Sequence, residues 1–320
     1  MADVQTQSPP HGGPFAVAFR AFRRDRLGLA SLGVVLLFAV LALAAPLLAA
    51  VYGKNPTEHY GQNEPGLLSE EGLPVLPNGG MSGDFWFGLE PGLGRDVLTQ
   101  LLYGIRTSLL VAVASIALIA VVGVVLGVTV GYLSGLADRV FTFVCNVLLA
   151  FPTLLLLLAL SPIIQTRFVP PGENEPAWMQ FTVLVLVFAA FGWVSLAMML
   201  RTTVRSLRER EFIDAARAVG ASRRHVVFRE LLPNVWAPVL VHITIALPGI
   251  VTAEAALSFL GVGISEPIPD WGRMIARGAE VFYDDPTYMF FPGITILVFV
   301  VAFNLLGDSV RDALDPRTRR

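Results

Sequence analysis

Lysine is almost absent from this chain. The single one, Lys54, is followed by Asn55, so no G-x-x-x-x-G-K-[ST] loop exists to wrap a nucleotide's phosphates, and the chain carries no P-loop ATPase of its own. Any ATP-driven work has to be powered by separate subunits. Cysteine is equally scarce: Cys145 stands alone inside an apolar run, which excludes an intrachain disulfide and a cysteine-rich zinc site. Charged residues make up only 15% of the chain, with a formal net charge of −2, so nothing suggests a nucleic-acid partner. No metal and no cofactor is expected on the chain itself.

What is abundant is apolar surface. Hydrophobic residues make up 54% of 320 positions and the mean hydropathy is +0.65, far beyond an average soluble domain. The expectation is an all-α integral membrane protein embedded in a lipid bilayer. Residues 1–26 form a tail, polar at first and then basic with Arg20, Arg23, Arg24 and Arg26. The apolar run at 27–51 that follows is too long for a signal-peptide core and about long enough, at ~1.5 Å per residue, to cross a ~30 Å hydrocarbon layer. It is read as a retained first span. Further spans are expected near 108–132, 140–163, 180–200, 235–258 and 288–307.

Charge sign fixes the topology. Arginines gather before the first span, after the fourth at Arg201, Arg205, Arg208 and Arg210, and in the tail at Arg317, Arg319 and Arg320, while 52–107 and 260–286 are acidic. By the positive-inside rule the six spans then leave both termini in the cytoplasm. The expected organisation is a cytoplasmic tail (1–26), a first span (27–51), an external loop ending in an interfacial helix (52–107), a five-helix core (108–310) containing a cytoplasmic loop at 205–234, and a cytoplasmic tail (311–320).

Inside the spans a few residues stand out. Gly123, Gly127 and Gly131 recur every four positions, a groove for close helix approach, which packing must supply because lipid gives helices no hydrophobic reason to associate. Asn146, with Pro152 and Pro162, interrupts the third span. His242 and Glu254 lie in the fifth. A lone histidine is more often a packing residue than a ligand. Glu254, about 27 Å from the cytoplasmic end of its helix, either reaches headgroup water or serves the outer part of a solute route, since a carboxylate at membrane depth costs about 2.5–3.5 kcal/mol.

Residues 209–233 are the one long polar interval between apolar runs in the second half. Phe212, Ala215, Ala216 and Val219 give a short helix one apolar face; Gly220 ends it; Ser222 caps a second helix through Val226, Val227 and Leu231, which Pro233 is expected to stop. The acidic-Ala-Ala triplet Asp214-Ala215-Ala216, with Gly220 and then Leu232-Pro233, resembles the EAA loop of ABC-importer permeases, whose short helices dock into ATPase subunits. Asp214 replaces the commoner Glu, and Glu230 replaces an aliphatic residue. The Gly94-Arg95-Asp96 opening, residues 253–263, Pro269-Asp270-Trp271-Gly272 and residues 303–308 are similar to the dipeptide, oligopeptide and nickel branch of that family, the second-permease type. The resemblance covers about residues 20–317.

It implies a type I importer (MetI-like) permease fold with cytoplasmic coupling helices, in the inner membrane of a prokaryote. It further implies a homologous second permease, two cytoplasmic ATP-binding subunits holding ATP and Mg, and an extracytoplasmic solute-binding protein. The solute would be a di- or oligopeptide, or alternatively a nickel chelate or other small molecule. Asp214, Ala215, Ala216, Gly220, Leu232 and Pro233 would then couple to the ATPases, with Glu254, His242 and Asn146 as route candidates. A proton-coupled secondary transporter would need ionisable groups near the midplane, where only His242 qualifies. An intramembrane protease would need a catalytic constellation that the spans do not show.

Overall fold

The computed structural model describes residues 14–133, 135–168 and 176–314. The expected polar tail up to residue 13, the loop at 169–175 and the basic tail at 315–320 lie outside the described residues. Apart from the isolated bridges Leu68–Pro74 and Leu89–Asp96, regular structure among the described residues is helical. Besides short turns at Tyr60–Asn63, Pro77–Gly80 and Arg223–His225, the helices are α1 Pro14–Phe22, α2 Arg26–Tyr52, α3 Val97–Leu133, α4 Leu136–Ala150, α5 Thr153–Phe168, α6 Ala177–Arg208, α7 Glu211–Ala218, α8 Leu232–Phe259, α9 Trp271–Glu280 and α10 Pro286–Leu314. The long helices α2, α3, α6, α8 (with the turns before it) and α10 are each apolar enough to cross a membrane.

The third span is not the single helix expected from 140–163. It is a bent pair, with α4 and the following Thr153–Ile164 turned 81° from one another. The break falls at Phe151-Pro152, where Phe151 is extended (φ −81°, ψ 136°). The residue before a proline is sterically pushed out of the helical region, and the proline opens the next helix.

Helix directions follow from contacts. Ile119, Gly123, Gly127 and Gly131 of α3 meet Gly192, Leu196, Ala197 with Leu200, and Arg201 with Val204 of α6 in that order, so α3 and α6 run parallel. The intervening bent pair must therefore carry the chain back across. Ser108 near the start of α3 bonds Glu254 near the end of α8, so these two are antiparallel. Gly28 of α2 sits against Ser309 of α10, which makes that pair antiparallel and sets both ends of the described chain on one side.

At the opposite end the 53–96 connection is an ordered cap. Tyr52 Oη bonds the Asp84 carbonyl (3.0 Å) and Asp96 Oδ2 (3.2 Å) and receives Trp86 N–H (2.9 Å). Arg95 is buried in a two-point pair with Glu90, its Nη2 lying 2.8 Å from Oε1, and Glu90 also accepts from Gln100 Nε2 at 3.1 Å. Beneath this network no separate interfacial helix exists. Residues 97–108 are the first turns of α3, with Val97, Leu101 and Ile105 buried against the cap and Trp271. Protein, rather than lipid headgroups, covers their apolar side, so the helix has no reason to turn along the interface.

Candidate functional site

The elbow at 209–233 lies at the end of the bundle away from the cap. Arg208 Nη1 donates to the Tyr132 carbonyl at 2.8 Å, and Arg201 pairs with Asp138 in a two-point contact. The ends of α3, α4 and α6 are thus pinned before the chain enters α7. Glu211 and Asp214 occupy the first turn of α7 and Arg217 its last, the sense that suits the helix dipole. Asp214 and Arg217 form an exposed 3.3 Å ion pair, which contributes little to stability.

Ile213 anchors this helix. It is fully buried with Val204, Leu200, Val226, Leu231 and Val235. The face named from sequence points the other way: Phe212 is 40% and Val219 85% exposed, Ala215 is exposed and Ala216 half-buried. Ile213 was missed because it falls between the positions of that apolar stripe; the signal that could have found it is that it is the one β-branched aliphatic within α7. Gly220 follows at φ +85°, with Gly220 N–H and Ala221 N–H bonding back to the Arg217 and Ala216 carbonyls, so the left-handed residue closes the helix end.

Ser222 Oγ accepts His225 N–H at 3.3 Å and caps the next turn. Pro233 does not stop this second helix. A π turn over Val226–Leu231 leads directly into α8, with Leu232 N–H bonding the Val227 carbonyl five residues back. Pro233 sits at the start of α8, where a missing amide is tolerated, and Asn234 Nδ2 donates to the Glu230 carbonyl at 2.6 Å. Leu232 is half-buried and Pro233 exposed, and Phe228 adds a 59% exposed ring.

The other residues singled out by sequence are dispersed. Gly123, Gly127 and Gly131 are buried against α6. Asn146 is exposed on α4. His242 is half-buried and lines a cavity of about 610 Å³ with Asn234, Arg311 and Met199. Glu254 does not reach headgroup water: it is fully buried, accepting from Ser108 Oγ at 2.9 Å and Ser258 Oγ at 3.4 Å. The start of α9, at Gly272, and Ser108 of α3 cover that end of α8.

Residues 123–320 match the model of the binding-protein-dependent transport system inner membrane component family. The chain belongs to this family. Residues 13–65 of the permease also match the N-terminal transmembrane domain of oligopeptide transport permease C. It is 31% identical to the dipeptide transport system permease protein DppC of Alkalihalophilus pseudofirmus over 96% of its own length and 91% of that protein. It is 32% identical to the protein of the same name from Bacillus subtilis, over 95% and 86%. The glutathione transport system permease protein GsiD of Escherichia coli is 30% identical over 96% and 91%. A chain of the MetNI methionine ABC transporter, solved in inward-facing conformations, superposes with a TM-score of 0.55 at 19% identity, covering 73% of this permease and all of that chain. That likeness shows the fold, an all-α importer permease. The permease is a membrane component of an ABC importer, and ATP hydrolysis in this family resides in partner subunits.

Proposed function

We propose that this permease conducts di- or oligopeptides, or closely related small solutes, into the cytoplasm of a prokaryote. In this reading it pairs with a homologous second permease in the inner membrane, both its termini are cytoplasmic, two ATP-binding subunits hold ATP and Mg beneath it, and an extracytoplasmic binding protein delivers the solute. The chain itself binds no cofactor. The names of its relatives support the solute class, and its arginine sorting supports the orientation.

The observation that carries the coupling role is the construction of the elbow: an apolar face turned outward on a helix whose opposite side is locked by fully buried Ile213. A thin helix with Asp214, Ala215, Ala216 and then Gly220 fits another protein's groove, and Leu232 and Pro233 set the angle at which α8 leaves it. Closure of the ATPases on ATP then displaces the elbow, and with it the helices that open the route, to which Asn146 and His242 are assigned. Gly220→Arg tests this. Permease insertion and pairing should persist while the ATPase subunits no longer copurify and ATP-driven peptide uptake stops. A variant that retains a coupled complex refutes the assignment.

A further inference from the structure

Between the end of α2, the start of α3 and the loop at 83–86 lies another cavity of about 610 Å³. Gly53, at φ +75°, turns the chain back over the end of α2, and Gly53 N–H and Lys54 N–H both bond the Ala49 carbonyl, a left-handed closure common at helix C-termini. The turn brings the chain's only lysine to the cavity wall. Its ammonium is seated on rings: Lys54 Nζ lies 3.9 Å from the Phe85 ring centroid and 4.6 Å from that of Tyr60, a cation–π contact that leaves N–H donors unused.

Asp84 lines the same cavity. Its backbone is fixed by Tyr52 Oη on its carbonyl, while its carboxylate is exposed. Neither Lys54 nor Asp84 makes an ion pair or a side-chain hydrogen bond with any described residue. The acid beneath them, Asp96, is buried and already accepts from Tyr52 Oη and Thr99 N–H. Below the two charges the floor is apolar, made by Leu41, Leu48, Val51, Leu98 and Leu102. From Leu41 to Tyr52, at ~1.5 Å per residue, it runs roughly 16 Å, about the depth of one leaflet of a ~30 Å hydrocarbon layer. Val51 is 80% and Trp86 57% exposed, so the cavity opens away from the bundle. The Tyr52 and Trp86 rings, 5.0 Å apart, stand at the end of the span, where such side chains mark the boundary between hydrocarbon and water.

One cation and one anion thus share an apolar trough without meeting each other. A purely anionic headgroup would satisfy Lys54 and be repelled by Asp84; a headgroup carrying both charges satisfies both. We propose that the cavity binds one phospholipid bearing a phosphate and a primary ammonium, phosphatidylethanolamine, from the leaflet on the cap side. Its phosphate rests on Lys54, its ammonium on Asp84 and one acyl chain along the floor. A free peptide has the same two charges but no chain to fill a trough of that depth. Bound in this way, the lipid joins the end of α2 to the loop at 83–86 and so ties the cap to the first span.

The test uses the full-length permease in its complex, in phosphatidylcholine vesicles holding a trace of phosphatidylethanolamine with a diazirine on one acyl chain. Irradiation followed by peptide mapping should concentrate adducts at residues 41–51 and 98–102. Unlabelled phosphatidylethanolamine should displace the probe more effectively than phosphatidylglycerol. Asp84→Asn removes the repulsion and should erase that preference, leaving the adducts at the same residues; Lys54→Gln should lose the adducts. Labelling no denser there than on the other exposed helices overturns the proposal, as does equal competition by phosphatidylglycerol in wild type or an unchanged preference in Asp84→Asn. Displacement by a dipeptide would assign the cavity to solute and overturn it too. If Lys54→Gln loosens the cap, seen as proteolysis within 53–96, Asp84→Asn decides, because the Asp84 carboxylate holds no other group in place.

Discussion

Gly127→Ala measures how tightly α3 and α6 are joined. The new Cβ would lie 2.7 Å from the Ala197 carbonyl oxygen, 2.8 Å from Leu200 Cβ and 3.0 Å from Ala197 Cα. Two of these atoms are backbone and cannot rotate aside, so the helices must part by several tenths of an ångström. Overpacking of this kind costs about 1–3 kcal/mol. Alanine's helix preference over glycine offsets about 0.5–1 kcal/mol, leaving a net loss of roughly 1–2 kcal/mol. Gly249 supplies the control: it is helical, and a Cβ there meets nothing within 4 Å, so Gly249→Ala collects only the helix gain. At roughly 2–4 °C per kcal/mol, thermal unfolding in detergent, followed by intrinsic fluorescence, should place Gly127→Ala several degrees below wild type and Gly249→Ala at or above it. Equal melting of the two variants would refute the packing analysis.

Three further outcomes are expected. Ile213→Ala should remove about 2–5 kcal/mol of local burial, raising hydrogen exchange of residues 211–218 while leaving 53–96 protected. Arg95→Met takes the two-point partner from the buried Glu90 carboxylate, leaving it Arg277 at 3.4 Å and Gln100 at 3.1 Å, and should destabilise the cap by less than the about 3–5 kcal/mol of a fully unpaired charge, seen as proteolysis within 53–96, with Arg95→Met/Glu90→Leu restoring much of the resistance. Burial alone would push the Glu266 carboxyl up, but Arg95, Arg273 and Arg277 outweigh it and hold it below the ordinary range. Its contribution is therefore full above the ordinary glutamate value and is lost as pH falls through the depressed one, so the gap in cap stability between wild type and Glu266→Gln should close on acidification.

Long apolar runs made the spans legible, because they follow from solvation of single segments. Gly220 was legible for the same local reason: only its backbone conformation matters there. What escaped were choices made between segments. Pro233 reads as a helix stop until a π turn supplies a register in which its missing amide costs little. The glycine series announces a close partner but not which one, since Leu196 to Val204 of α6 carries no mark distinguishing it from other apolar runs. The burial of Glu254 depends on Ser108 of α3, 146 residues earlier, and on Gly272, where α9 closes against Ala255.

The apolar cluster that holds Ile213 also contains Val128 of α3 and Leu196, Leu200 and Val204 of α6, the stretch where glycines bring those helices into backbone contact. A push on α7 would therefore act on packed side chains of α3 and α6. In the coupling proposed above it would reach two rods fastened along their length, and these would tilt as one body.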